Sequence, residues 1–298
     1  MSEVNRIPPG GGVLRLDKPV GPTSHDMVAR VRRVLQERRV GHTGTLDPFA
    51  SGLLILCVGP ATRLVQYLVG ADKEYQATAR LGVGTDTLDP EGAVVATDDV
   101  WRERTEEEVR GALGGLVGEI LQLPPAFSAK KIDGEAAHRK ARRGERVELA
   151  PVPVVIHELA LTSFDPPDVA FRVRCSSGTY VRALARDLAH RLGTTAHLTA
   201  LRRTRVGRWS VDDALPGDLA DGIPPGAWIR PLAALDGWPR VALNDEEAQR
   251  LAHGQRLRVD RSETGPVVAE WQGTLLAICE LDEGVLRPRR VFPPPETP

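Results

Sequence analysis

The sequence predicts an α+β protein: a mainly antiparallel mixed sheet flanked by helices, followed by a small β-rich unit. Three observations predict it. Segments with strand periodicity and segments with helix periodicity interleave without a regular β-α-β alternation. No Gly-x-Gly-x-x-Gly or Walker loop marks a nucleotide-binding α/β domain. The Pro- and Gly-rich stretch Ile223-Pro224-Pro225-Gly226-Ala227-Trp228-Ile229-Arg230-Pro231 sets off a final segment of several short strands.

Val13 to Asp17 has the apolar content of a strand, which Lys18-Pro19-Val20-Gly21-Pro22 ends. Ser24 is placed to cap a helix with Asp26 in its first turn and Val28, Val31 and Leu35 on one face. Leu53 to Val58 suits a buried strand, and Pro60 to Leu68 a helix that Gly70 ends. Tyr75, Ala77, Ala79 and Leu81 alternate with polar residues, the pattern of a half-buried strand. Thr105 and Glu108 form a capping box before Val109, Leu113 and Leu116. Strands follow at Val154 to Thr162 and Val169 to Cys175. Val181, Leu184, Leu188 and Leu192 then mark a helix that Gly193 closes, and His197 to Trp209 has strand character. Past the boundary, Asn244 to Leu251 reads as a short helix ending near Gly254. Val267 to Trp271 and Thr274 to Glu280 flank a Gln272-Gly273 hairpin turn. The expected division is residues 1–228, residues 229–292 and a disordered tail at 293–298.

Composition narrows the function classes. The 298 residues are 41% hydrophobic and 27% charged, ordinary for a globular chain, with no apolar run long enough for a membrane span and no signal-peptide core. Cys57, Cys175 and Cys279 are far apart and the seven histidines are scattered, so neither a disulfide framework nor a metal site is expected. A cytoplasmic protein is expected. The net charge of −1 hides three basic clusters: Arg30 to Arg39, Arg139 to Arg146 and Arg202 to Arg208. Folding could gather them into one RNA-binding face.

The densest chemistry lies in Gly41-His42-Thr43-Gly44-Thr45-Leu46-Asp47-Pro48-Phe49-Ala50-Ser51-Gly52-Leu53-Leu54. Its glycines permit tight turns and close backbone approach, and Pro48 biases Asp47 toward an extended or turn conformation. Such a loop could hold a carboxylate on a rigid platform, although Asp-Pro among glycines is more often a plain surface turn.

This string resembles the active-site motif of the TruB-type tRNA pseudouridine synthases, and five further regions extend the likeness. Leu16 to Ser24 is similar to the family's N-terminal motif. Lys73-Glu74-Tyr75 with Gly84 to Gly92, then Gln122 to Ala129 with Gly134, follow in order. Cys175 to Arg182 and Ala196 to Arg203 complete the set. Gly273 to Ile278 with Leu286 to Phe292 resembles a PUA-like domain. The resemblance implies the pseudouridine synthase fold for residues 1–228 and a PUA-like RNA-binding domain for 229–292. The implied activity is isomerisation of T-loop uridine-55 of tRNA to pseudouridine, without cofactor or metal.

The resemblance also implies the roles. Asp47 is the catalytic carboxylate, with routes through the sugar, the base or a glycal left open. Arg182 is its guanidinium partner, expected to hold it by two parallel hydrogen bonds. Tyr75 supports catalysis by stacking on the target uracil and handling a proton, His42 fills the space left by the extruded base, Tyr180 and Leu201 wall the pocket, and Lys18 supports the loop. Without the family likeness, Arg182 reads as an exposed helix charge, Tyr180 and Leu201 as core, and His42 and Lys18 as solvated. The basic clusters are assigned to T-arm phosphates and the C-terminal unit to the acceptor stem. A monomer with no obligatory protein partner is expected. One departure stands out, His138 where the family has tyrosine. A guide-RNA-dependent synthase is the enzymatic rival. The short C-terminal appendage and an insertion-like stretch from Val147 to Thr162 favour the stand-alone form. A silent RNA-binding or RNA-folding module is the other alternative, and it would not need Asp47, Tyr75 and Arg182 together.

Overall fold

The structure, a computed structural model, describes residues 4–127, 131–132, 135–136, 143 and 149–292. Gly134, His138 and the tail 293–298 lie outside the described residues, as does most of the second basic cluster. The first unit runs through β1 (Gly12–Lys18), α1 (Ser24–Leu35), β2 (Val40–His42), β3 (Ser51–Val58), α2 (Val65–Leu68), β4 (Lys73–Leu81), β5 (Val83–Thr85) and β6 (Val94–Thr97). It continues through α3 (Glu106–Gly114), β7 (Gly118–Gln122), β8 (Lys131–Ile132), β9 (Glu135–Ala136), β10 (Val152–Asp165), β11 (Asp168–Cys175), α4 (Val181–Arg191), β12 (Ala196–Val206), β13 (Trp209–Ser210) and β14 (Leu215–Pro216).

One mixed sheet organises ten of these strands in the order β14-β1-β3-β12-β4-β11-β10-β7, with β2 against β3 and β13 against β12, while β5-β6 and β8-β9 form separate pairs. Only β1–β14 and β3–β12 pair in parallel; the remaining pairings are antiparallel, as the sequence predicts. Strand β3 reads as an unbroken apolar run because it is buried on both faces. Leu53, Ile55 and Cys57 enter one cluster with Leu64 and Trp209, while Leu54, Leu56 and Val58 enter another beneath α1 with Met27 and Val31. Helices α3 and α4 cover β4, β10, β11 and β12 through Val109, Leu113, Leu184 and Leu188.

Several local expectations change. The residue capping α1 is Thr23, whose hydroxyl accepts from the Asp26 amide while the Asp26 carboxylate accepts from the Thr23 amide, a pairing worth about 1 kcal/mol. Ser24 is the first helical residue, and its hydroxyl is committed elsewhere. The Pro60 to Leu68 helix begins as a 3₁₀ segment, Gly59–Leu64, and becomes α-helical only at α2. The described part of the Val147 to Thr162 stretch belongs to the first sheet. It supplies β10, which pairs with β7 on one side and β11 on the other.

The second unit follows α5 (Pro231–Ala234). It contains β15 (Arg240–Ala242), α6 (Asp245–Ala252), β16 (Leu257–Arg258), β17 (Gly265–Trp271), β18 (Thr274–Asp282) and β19 (Val285–Val291). Its sheet order is β15-β17-β18-β19-β16. The β17–β18 turn has φ of 50° at Gln272 and 71° at Gly273, the left-handed pair a tight hairpin needs. Ile229 exchanges backbone hydrogen bonds with Val13, so the chain remains on the first sheet until the second begins. Val268, Leu275, Ile278 and Phe292 pack into the cluster that holds Val13 and Leu53, so the two units share a core.

Candidate active site

Asp47 lies on the loop between β2 and β3, at the centre of the first sheet. Three anchors hold that loop. The Ser24 hydroxyl donates to the Leu46 carbonyl at 3.1 Å and accepts from the Leu46 amide at 2.9 Å. Lys18, with no exposed surface, donates from Nζ to the carbonyls of Pro19 at 2.8 Å, Pro22 at 2.7 Å and Pro48 at 3.4 Å. Burial lowers its pKa from 10.5 to about 8, against the pull of Asp47. The third anchor is Arg203, whose guanidinium donates to the Thr45 and Gly44 carbonyls.

The Asp47 side chain is 34% exposed, and its Oδ2 pairs with Arg182 Nε at 3.1 Å. Oδ1 accepts no hydrogen bond from the described residues. Burial raises the carboxyl above its ordinary value and Asp89 adds to the rise, while Arg182 and Lys18 oppose it. Arg182 is only 5% exposed, at the start of α4. The expected pair of parallel hydrogen bonds to Asp47 does not form, because a buried guanidinium must satisfy every donor. Nη1 donates to Asp89 Oδ2 at 2.7 Å and the Thr87 carbonyl at 2.9 Å, and Nη2 to the Phe127 carbonyl at 2.9 Å. Nor is Arg182 an exposed helix charge.

Asp89 carries no role in the sequence reading, yet it shares the guanidinium with Asp47. Its Oδ1 accepts from the Thr87 hydroxyl at 2.5 Å and the Glu91 amide at 3.1 Å. The available signal was a second carboxylate before proline in a Thr-rich turn. Gln122 was equally silent: its amide donates to the Tyr180 carbonyl and accepts from the Tyr180 amide, which fixes the entry to α4 and hence Arg182.

Tyr75 on β4 is 8% exposed and shares a cluster with Leu46, Phe49, Ala50 and Leu201. Burial pushes its hydroxyl pKa up, and Arg203 beside it pulls the other way. Leu201 is 8% exposed and Tyr180 half-buried. His42 ends β2 rather than lying in the loop. Its ring meets His25 edge-on at 5.6 Å, its buried Nδ1 has no hydrogen-bond partner among the described residues, and burial lowers its pKa. Thus the structure brings Lys18, Asp47 and Arg182 into one network, with Tyr75 and Leu201 packed against the loop. The basic clusters are less uniform than expected. Arg203 is buried, Arg202 pairs with Asp17 at 2.7 Å, and Arg30 bonds the Gly217 carbonyl, whereas Arg33, Arg38 and Arg205 are exposed.

Among the described residues no cluster of three His, Cys, Asp or Glu could hold a metal, and no helix is long and apolar enough to cross a membrane.

The fold has solved counterparts. A chain in a Cbf5-Nop10-Gar1 complex superposes with a TM-score of 0.72 at 27% identity, covering 96% of this chain and 86% of that one. A chain in an H/ACA RNP bound to a substrate RNA containing 2′-deoxyuridine gives 0.70 at 26%, with 96% and 86% coverage. The class is that of the pseudouridine synthases, which two family models define. A model of the TruB family pseudouridylate synthase N-terminal domain matches residues 32–181, and one of the pseudouridine synthase II TruB C-terminal domain matches 239–292. The chain is 47% identical over 292 residues to tRNA pseudouridine synthase B of Burkholderia mallei (strain NCTC 10247), covering 94% of this chain and 96% of that protein. It is 44% identical over 285 residues to the protein of the same name from Aromatoleum aromaticum, covering 94% and 92%. The chain belongs to the TruB family of pseudouridylate synthases.

Proposed function

We propose that the chain isomerises uridine-55 in the T-loop of tRNA to pseudouridine, acting alone, in the cytoplasm and as a monomer, with Asp47 as the catalytic carboxylate. The observation that carries this reading is the state of Asp47: one oxygen held by Arg182, the other without a partner among the described residues, on a loop anchored from three sides. The reaction breaks the bond from C1′ to N1 and turns the uracil. C1′ then joins C5, the C5 proton leaves, and N1 gains one. An ionised carboxylate beside the ribose serves as nucleophile or base in that sequence, and Arg182 favours its charged form.

Extruding a stacked nucleotide costs a few kcal/mol, which contacts to the flipped base must offset. Tyr75 is assigned to stack on the uracil, Tyr180 and Leu201 to wall the pocket, and His42 to fill the vacated stack. Exposed arginines such as Arg33, Arg38 and Arg205 suit phosphates, which position RNA without reading its sequence. The residues from β15 to β19 are assigned, as a PUA-like domain, to the acceptor stem.

Likeness to chains of H/ACA complexes keeps a guide-dependent reading alive. Release of tritium from C5-labelled uridine in a T-arm hairpin, with no guide RNA and no added metal, distinguishes the two. Stoichiometric release supports stand-alone action; no release overturns it.

A further inference from the structure

We infer that Arg203 is a positioning residue for the Asp47 loop rather than one of the arginines that meet RNA. Sequence grouped it with Arg202, Arg205 and Arg208 as a basic cluster. It is instead 2% exposed, among the largest fully buried side chains of the molecule.

Its backbone sits on β12 between the two elements that matter, opposite Gly52 of β3 on one side and Tyr75 of β4 on the other. From there the guanidinium turns back along the catalytic loop. Nε donates to the Leu53 carbonyl at 2.7 Å, Nη1 to Thr45 at 3.3 Å and Nη2 to Gly44 at 3.1 Å. One planar group thus ties both ends of the segment that carries Asp47. A lysine at this position could not reproduce that fork. The approach at Gly52 is equally tight: φ there is +104°, and a Cβ would fall 2.3 Å from the Arg203 carbonyl oxygen, so only glycine fits. The same guanidinium also stands beside the Tyr75 hydroxyl, coupling loop and aromatic floor through one charge.

Arg203 therefore sets where Asp47 and Tyr75 lie relative to one another without touching substrate. The inference rests on the Asp47 chemistry proposed above, and tritium release by the wild-type protein tests that reading separately.

Arg203→Lys keeps the charge and loses the fork. Its kcat on the T-arm hairpin should fall on the order of 10²-fold, as expected for slight misplacement of a reacting group. KM and the salt dependence of hairpin binding should stay unchanged. Val169→Ala, a core change on β11 away from the loop, supplies a variant destabilised without this effect. A raised KM with kcat unchanged identifies a contact with RNA and overturns the inference. So does a kcat loss no larger than that of Val169→Ala. Should Arg203→Lys not fold, ¹⁵N-labelled wild-type protein decides. The Arg203 Nε–H should exchange slowly and keep its resonance when hairpin is added; rapid exchange or a large shift on binding overturns the positioning role.

Discussion

Two loops deliver a carboxylate to the same guanidinium, and they treat it in opposite ways. The β2–β3 loop leaves Asp47 34% exposed with one oxygen unpartnered among the described residues, while the turn after β5 seals Asp89 at 4% side-chain exposure and gives both of its oxygens partners. One Arg182 thus joins a carboxylate whose hydrogen bonding is spent on structure to one whose capacity is kept in reserve. The difference teaches that pairing with Arg182 does not by itself set a carboxylate's hydrogen bonding; the loop that carries it does.

The sharpest test of that asymmetry is Asp47→Asn. Loss of the ionisable oxygen should cut kcat by at least ~10³-fold, with hairpin affinity within a few-fold of wild type. Single-turnover tritium release and filter binding measure the two separately. Asp47→Asn converting the hairpin at wild-type rate would break the comparison outright. Thermal stability should not fall. Burial raises the folded-state pKa of Asp47 above its unfolded value, so ionising it costs the folded state free energy. The melting temperature of Asp47→Asn relative to wild type should therefore rise as pH climbs from the ordinary carboxylate value through the raised one.

Asp89→Asn should do the reverse and damage the fold. Its new amide group would face the Thr87 hydroxyl and the Glu91 amide, donors that now have a carboxylate to meet. Breaking one member of a buried network costs roughly 3 kcal/mol, so denaturant unfolding should show a clear loss. Equal stability in Asp47→Asn and Asp89→Asn would erase the distinction drawn between the two loops.

These loops also show what the sequence could reveal. Strand β3, helix α4 and the β17–β18 hairpin were legible because apolar period and turn residues are local signals. Asp47 and Arg182 were legible only through motif likeness; by chemistry alone Arg182 read as an exposed helix charge. What stayed hidden was non-local. Asp89 gains its role from a partner 93 residues away, Gln122 acts through a backbone 58 residues away, and Arg203 is buried because β3 and β4 flank it. Ser24 was misread as a cap for the same reason: its true partner is Leu46, across the loop.

The pH profile of kcat sharpens the comparison further. If the ionised form of Asp47 reacts, activity should fall tenfold per pH unit on the acid side, with its midpoint above the ordinary aspartate value because burial outweighs Arg182. A midpoint at or below that ordinary value would mean that Arg182 dominates, and the two carboxylates would then differ less than their exposures suggest.

The smallest effect belongs to Lys18, which supports only the Asp47 side of the pair. Lys18→Met orphans the carbonyls of Pro19, Pro22 and Pro48 but relieves the burial of an ammonium, so the net loss near neutral pH should be about 1–2 kcal/mol. The pH dependence carries the sign. The Lys18 pKa falls from 10.5 to about 8 in the folded state, so between pH 8 and 10.5 the unfolded chain binds the extra proton. Wild type should gain stability over Lys18→Met as pH rises through that window, because the charge penalty disappears while a neutral amine still donates to the loop. A stability difference that stays flat across the window would show that Lys18 is solvated, and would remove one of the three anchors holding Asp47 in place.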